Sequence, residues 1–201
     1  PAIQLVVNMI NKQIGAYNNT INTSVEDFTH QGDDAALKKL VENISSVDTI
    51  IFYNTNPVYT APKALGFEAA LKGVNTKISF ASHVDETATL CDFILPDHNY
   101  LEAWGDHMPR TGQYSLQQPA IRPLFSTRHA QESFINWSEG TKDYQSYMKD
   151  TWNGMQSMQS SFGDFNAFWI NCVRDGVFEG TAVAAQTTTD KKVVKEEAPA
   201  N

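Results

Sequence analysis

His98, Glu102, Asp106 and His107 stand close together in DHNYLEAWGDH, residues 97–107. Imidazole and carboxylate side chains are ligands for zinc and similar ions, and on a helix 98, 102 and 106 would share one face. A small metal-dependent hydrolase is the chemistry such a set would support. The spacing is not HExxH, however, and Pro96 and Gly105 bracket a turn too short to hold a helical face. Capping and loop hydrogen bonding is the simpler role for these residues, and no metal is expected in this segment. His30, His83 and His129 lie too far away in sequence to strengthen the set.

Other catalytic patterns fare no better. Asp85 and Glu86 are adjacent, would point in different directions on a helix, and make a poor acid–base pair. There is no Gly-x-Gly-x-x-Gly, no phosphate-binding Lys-Ser/Thr loop and no Gly-x-Ser-x-Gly elbow. No catalytic residue is assigned. Asn56 and Pro57 are more suggestive, because a short polar side chain locked by proline can hold a loop against a ligand or a neighbouring domain. A plain Asx turn is the alternative. Thr87, beside Asp85, reads first as a helix-capping residue and second as a ligand contact.

These residues need elements to position them. VDTIIFYN (47–54), KISFAS (77–82) and DFILP (92–96) are apolar runs of strand length, and continuous apolarity suits strands covered on both faces. A helix over 62–72, ending near Gly73, and a short turn ETATLC capped by Asp85 separate them. Strand, helix, strand, short helix, strand is the order of a parallel α/β sheet. Segments 54–60, 82–87 and 96–106 all follow strand ends, and so form one rim at the edge where open parallel sheets bind ligands.

Around this core, apolar spacing predicts helices over 2–14, stopped by Gly15, and from Asp33 or Asp34 through Ile44. Residues 107–125 read as a long irregular excursion with one short strand at YSLQ. Helices follow over 128–137, 142–153 and 162–178, their aromatic stripes read as core packing. TAVAAQTTTDKKVVKEEAPAN has the composition of a flexible linker. The organisation expected is an α/β domain over 1–140, a helical extension over 141–180 and a linker over 181–201.

A formal charge of -8, with no basic stripe, argues against nucleic acid as a partner. Cys91 and Cys172 alone make neither an iron–sulfur site nor a disulfide framework, and Cys91 reads as a buried small hydrophobe. No apolar run approaches ~18 residues, so the segment reads as soluble. The chain begins at Pro1 in mid-helix and ends in a linker, the look of an excised segment.

The ordered set NPVYTAP, SFASHVDETATLCDFILPDHNYLEAWGD and QPAIRPLFSTR resembles the large subunits of the molybdopterin oxidoreductase superfamily. MINKQIGAYNNTI looks like the asparagine–glycine region that precedes this domain there. The narrower resemblance is to the fused molybdopterin-oxidoreductase-like and iron–sulfur subunit of alternative complex III, a membrane-bound quinol oxidoreductase. It covers residues 1 to about 140. The resemblance implies a three-layer parallel-sheet α/β domain like the one that contacts a molybdopterin guanine dinucleotide, with Asn54, Asn56, Pro57, Ser82 and Asp85 as the contacts. It also implies that this cofactor is lost and those contacts are vestigial, with 4Fe-4S and 3Fe-4S clusters elsewhere in the full chain. The implied partners are the cluster-bearing domain of the same chain and the other subunits of a respiratory complex on the periplasmic side of the inner membrane.

Overall fold

The computed structural model describes residues 2–138 and 140–180. The chain runs through α1 (Ala2–Gln13), α2 (Asp34–Asn43), β1 (Thr49–Phe52), α3 (Pro57–Thr60), α4 (Phe67–Leu71), β2 (Thr76–Ser79) and β3 (Phe93–Ile94). It continues with β4 (Gly105–Arg110), β5 (Gln113–Gln117), α5 (Ala130–Trp137), α6 (Tyr144–Met155), α7 (Phe165–Asp175) and β6 (Val177–Glu179). The linker expected over 181–201 lies outside the described residues.

β1, β2 and β3 are parallel neighbours in that order, with Thr49 opposite Thr76 and Ile78 opposite Phe93. This is the expected mixed α/β core. The connection over 62–72 is broken: a short turn at Lys63–Leu65 ends on Gly66 at φ 68, and α4 starts only at Phe67. The left-handed glycine stops the first turn and re-aims the chain, so two short pieces replace one helix. Ile44, Phe52, Phe67, Leu71 and Val74 form the first apolar core, against one face of the sheet.

Coverage of both sheet faces holds only in part. Ile51 and Phe93 remain 38% and 56% exposed, and the face they share is covered at its C-terminal end, where Tyr53 and Phe80 meet Phe134 of α5. α1 forms where its apolar spacing predicts, yet none of its residues is buried. No helix among the described residues is long and apolar enough to cross a membrane.

The second sheet corrects the expectation of an irregular excursion. β4 and β5 form an antiparallel hairpin around Gly112 at φ 77, and β6 pairs with the free edge of β5. GDHMPR carries no alternation of apolar residues, and Pro109 argues locally against a strand, so the pairing has no local signature. The helix expected over 162–178 ends at Asp175, because Gly176 at φ 71 turns the chain back into β6. Met148, Trp152, Phe168, Trp169 and Cys172 make the second apolar core, with Trp104, Tyr114, Leu116 and Phe178 from the hairpin side packed against it. Residues 141–180 therefore share one core with 104–117. Gly176→Ala forces a Cβ into left-handed backbone and is expected to destabilise the chain by about 1–2 kcal/mol, read as a shift in denaturant midpoint.

Candidate functional site

The loops that leave β1, β2 and β3 meet at one rim. β1 gives way to Asn54, a non-glycine residue at φ 51, a left-handed conformation that Asn adopts more readily than most side chains. Two residues on, the Asn56 amide ties two loops together. Its Nδ2 donates to Glu86 Oε2 at 2.7 Å, and its Oδ1 accepts from the Thr87 hydroxyl at 2.6 Å and from the Thr87 N–H at 3.3 Å. The Thr87 oxygen accepts in turn from the Val58 N–H at 3.1 Å. Thr87 is fully buried, so its bonds are shielded from water, whereas the Asn56–Glu86 bond lies at the surface. The bond from Asn56 is the main reason the Glu86 carboxyl lies below the usual range.

Pro57 is buried at the first position of α3, where its missing N–H costs nothing. Asp85 Oδ1 accepts from the Ala88 N–H at 2.7 Å, the capping expected of it. Asn54, Asn56, Ser82 and Asp85 surround one shallow hollow of about 320 Å³ with Thr55 and His83; Pro57 does not line it. The role expected for Thr87 was capping or ligand contact; instead its hydroxyl bridges the two loops. That bridge pairs residues 31 apart in sequence and has no local signal.

Beside the hollow lies a cleft of about 990 Å³, which also takes in Asn54 and Ser82. Its far wall comes from the turn after β3, from α5 and from Tyr144. Asp97 Oδ1 accepts from the N–H groups of His98 and Ala130, both at 2.8 Å, joining that turn to the start of α5. The His98 ring pairs with the Thr127 hydroxyl at 2.6 Å and stacks on His129, centroids 6.1 Å apart and planes 3° from parallel. His129 therefore joins His98 after all, across a separation that spacing arguments discount. Gln131 donates to the Tyr53 hydroxyl at 2.9 Å, and its own Oε1 is a buried acceptor with no donor among the described residues.

Burial in the cleft favours the neutral forms of two of its groups, His129 and Tyr144. Burial pulls the His129 imidazole below its ordinary value, with Asp97 opposing and His98 adding to the effect. Burial also pushes the Tyr144 phenol up to about 12, helped by Asp106. An unfolded chain gives up this proton near pH 10.0, whereas the folded chain holds it to about 12. Stability is therefore fully present below pH 10 and falls as pH rises from there towards 12. Tyr144→Phe is expected to flatten that alkaline decline, measured as denaturant midpoint against pH.

The four residues that suggested a metal do not converge. His98 faces Thr127, and Glu102 accepts the N–H groups of Asn99 and Leu124, both at 3.0 Å, which hold its carboxyl below the usual range. Asp106 Oδ2 accepts the Trp152 indole N–H at 2.8 Å, and His107 sits on β4 opposite Ser115. No group of three or more His, Cys, Asp or Glu is placed to hold a metal among the described residues. Cys91, expected to be buried, is only half so; burial raises its thiol, which donates to the Thr87 carbonyl at 3.3 Å.

No family model matches the chain. Over 90 residues it is 37% identical to the menaquinone reductase, molybdopterin-binding-like subunit of Nitratidesulfovibrio vulgaris. The match takes in 43% of this chain and 13% of that subunit, so the chain spans only a small part of the relative's length. It supports a molybdopterin-oxidoreductase-like relationship.

Proposed function

We propose that this chain is a scaffold segment of a membrane-associated respiratory oxidoreductase subunit acting on a quinone or quinol, of the alternative complex III kind, and that it carries no molybdenum cofactor of its own. Electrons pass through 4Fe-4S and 3Fe-4S clusters in other parts of the subunit, and the segment packs among its partners on the periplasmic face of the inner membrane. The similarity to a menaquinone reductase subunit supports the quinone-linked role and the presence of partner subunits.

One observation carries the scaffold reading: the Asn56 amide, the best candidate for reading a bound nucleotide, commits its oxygen to Thr87 and one of its two N–H groups to Glu86. Asp85 is likewise engaged as a cap. Unless it broke the clasp, a guanine dinucleotide would meet only the second Asn56 N–H, Asp85 Oδ2, Asn54 and Ser82 around a shallow hollow, which weakens the fit to that cofactor. The rim then serves as a packing surface, fixed in shape by its own hydrogen bonds.

The test avoids Asn56 and Asp85, since both support the fold. Asn54→Gly, which suits φ 51, and His83→Ala, on an exposed ring, change the rim surface alone. In the full subunit this pair is expected to reduce co-purification with membrane partners while leaving the melting temperature unchanged. Molybdenum in the parent complex, by plasma mass spectrometry, is expected well below one equivalent. Stoichiometric molybdenum and pterin, lost in the variant, would instead identify a working molybdopterin guanine dinucleotide domain. Undiminished co-purification would remove the packing role.

A further inference from the structure

Between β5 and α5 the chain crosses the mouth of the cleft without helix or strand. Ile121 to Ser126 and Arg128 are all exposed, and none of 118–128 belongs to either apolar core. Leu124 and Phe125 are 71% and 77% exposed, although both line the cleft.

The fastenings of this segment lie at its ends and its middle, and all run to the turn at 97–102. One end is pinned backbone to backbone, the other by a backbone N–H on the Asp97 carboxylate. The N–H groups of Ala120 and Ile121 donate to the Leu101 carbonyl at 2.8 and 3.1 Å, and Ala130 N–H donates to Asp97 at 2.8 Å. Its middle is held by two side-chain contacts: Leu124 N–H to Glu102 Oε1 at 3.0 Å, and the Thr127 hydroxyl with His98 Nδ1 at 2.6 Å. Pro123 stiffens the span between the first pin and the first side-chain fastener.

We propose that residues 122–128 are a strap over the cleft, fastened by Glu102 and His98, which swings out between pinned ends and admits or releases the contents of the cleft while both apolar cores stay packed. Local opening is cheapest where few apolar contacts are lost and most backbone already meets water, and this segment satisfies both conditions. Opening breaks the Glu102 and His98 contacts and moves Leu124, Phe125 and Thr127 off the wall. It also frees the His98 ring, which stacks on His129 while Tyr144 packs against the same imidazole, and so opens His129, only 8% exposed when the strap is fastened. The device is independent of what occupies the cleft, so it stands apart from the scaffold reading.

Hydrogen exchange and histidine labelling of the full chain test it together. Glu102→Ala with Thr127→Val removes both fasteners; exchange at the Leu124 amide, the bonded N–H of 122–128, is then expected to accelerate about tenfold or more. Peptides spanning β1 and β2 should exchange at the parent rate. Carbethoxylation of His129 should accelerate with the strap, with exposed His30 unchanged as the reference. Thr127→Val alone, which leaves the 99–102 turn intact, should give a smaller change in the same direction. Parent-like exchange at Leu124 in the double variant would overturn the proposal. So would β1 and β2 accelerating in step, which marks global unfolding, or a faster strap with His129 labelling unmoved, which would mean the strap does not guard the cleft.

Discussion

Trp152→Ala is expected to destabilise the chain by about 4 kcal/mol, the largest effect of any single truncation considered for this fold. The indole is fully buried and stands at the centre of the second core, with ring centroids of Tyr114, Phe168, Trp169 and Phe178 at 6.0–6.4 Å. Those neighbours come from β5, α7 and β6, so one side chain joins three elements. Its N–H also satisfies Asp106 on β4. Removing it opens a cavity that four rigid rings fill poorly and leaves a carboxylate without its donor. Trp152→Phe keeps most of the volume and loses the donor, so it is expected to cost about 1–3 kcal/mol. Denaturant unfolding with near-ultraviolet circular dichroism distinguishes the two. A cost for the alanine variant no larger than for phenylalanine would refute the central role of this ring.

Asn56→Ala is expected to cost about 2 kcal/mol, because it strands the buried Thr87 hydroxyl and N–H and releases Glu86. Thr87→Val keeps the shape, strands the Val58 N–H and leaves Asn56 Oδ1 only the longer backbone N–H bond, with a cost of similar size. The two changes remove one shared network, so the double variant should cost clearly less than the sum. The double-mutant cycle reads this directly from denaturant midpoints. Additive costs would mean that the clasp is not a unit. In that case the Asn56 amide would be free enough to meet a ligand, and the scaffold reading would lose its main support.

The elements with a local origin were legible in the sequence. β-Branched and aromatic runs separated by helical turns specify the three strands, and the need to cross over between them makes the sheet parallel. Asp33 and Asp85 cap where a short acceptor precedes a helical turn, and Gly15 at φ 68 stops α1. The rim followed from that topology alone, since three loops leaving the same ends of adjacent strands must meet.

What the tertiary structure decided rests on contacts between residues far apart in the chain. β4 has no apolar alternation and becomes a strand because β5 offers hydrogen bonds and Trp152 satisfies Asp106. Residues 177–179 leave the helix because Gly176 turns them onto the free edge of β5, where pairing outweighs one more helical turn. His129 meets His98 because Asp97 pins the start of α5 to the turn after β3. Asn56 lies at a loop start, where the sequence allows either a ligand contact or an internal bond. Only the approach of Thr87 and Glu86, brought in by the second loop, commits both ends of its amide. Local patterns thus determine which elements form and where the rim lies. The groups that remain free at that rim are determined by long-range pairing, because a buried polar group takes whichever partner the packed fold brings within reach.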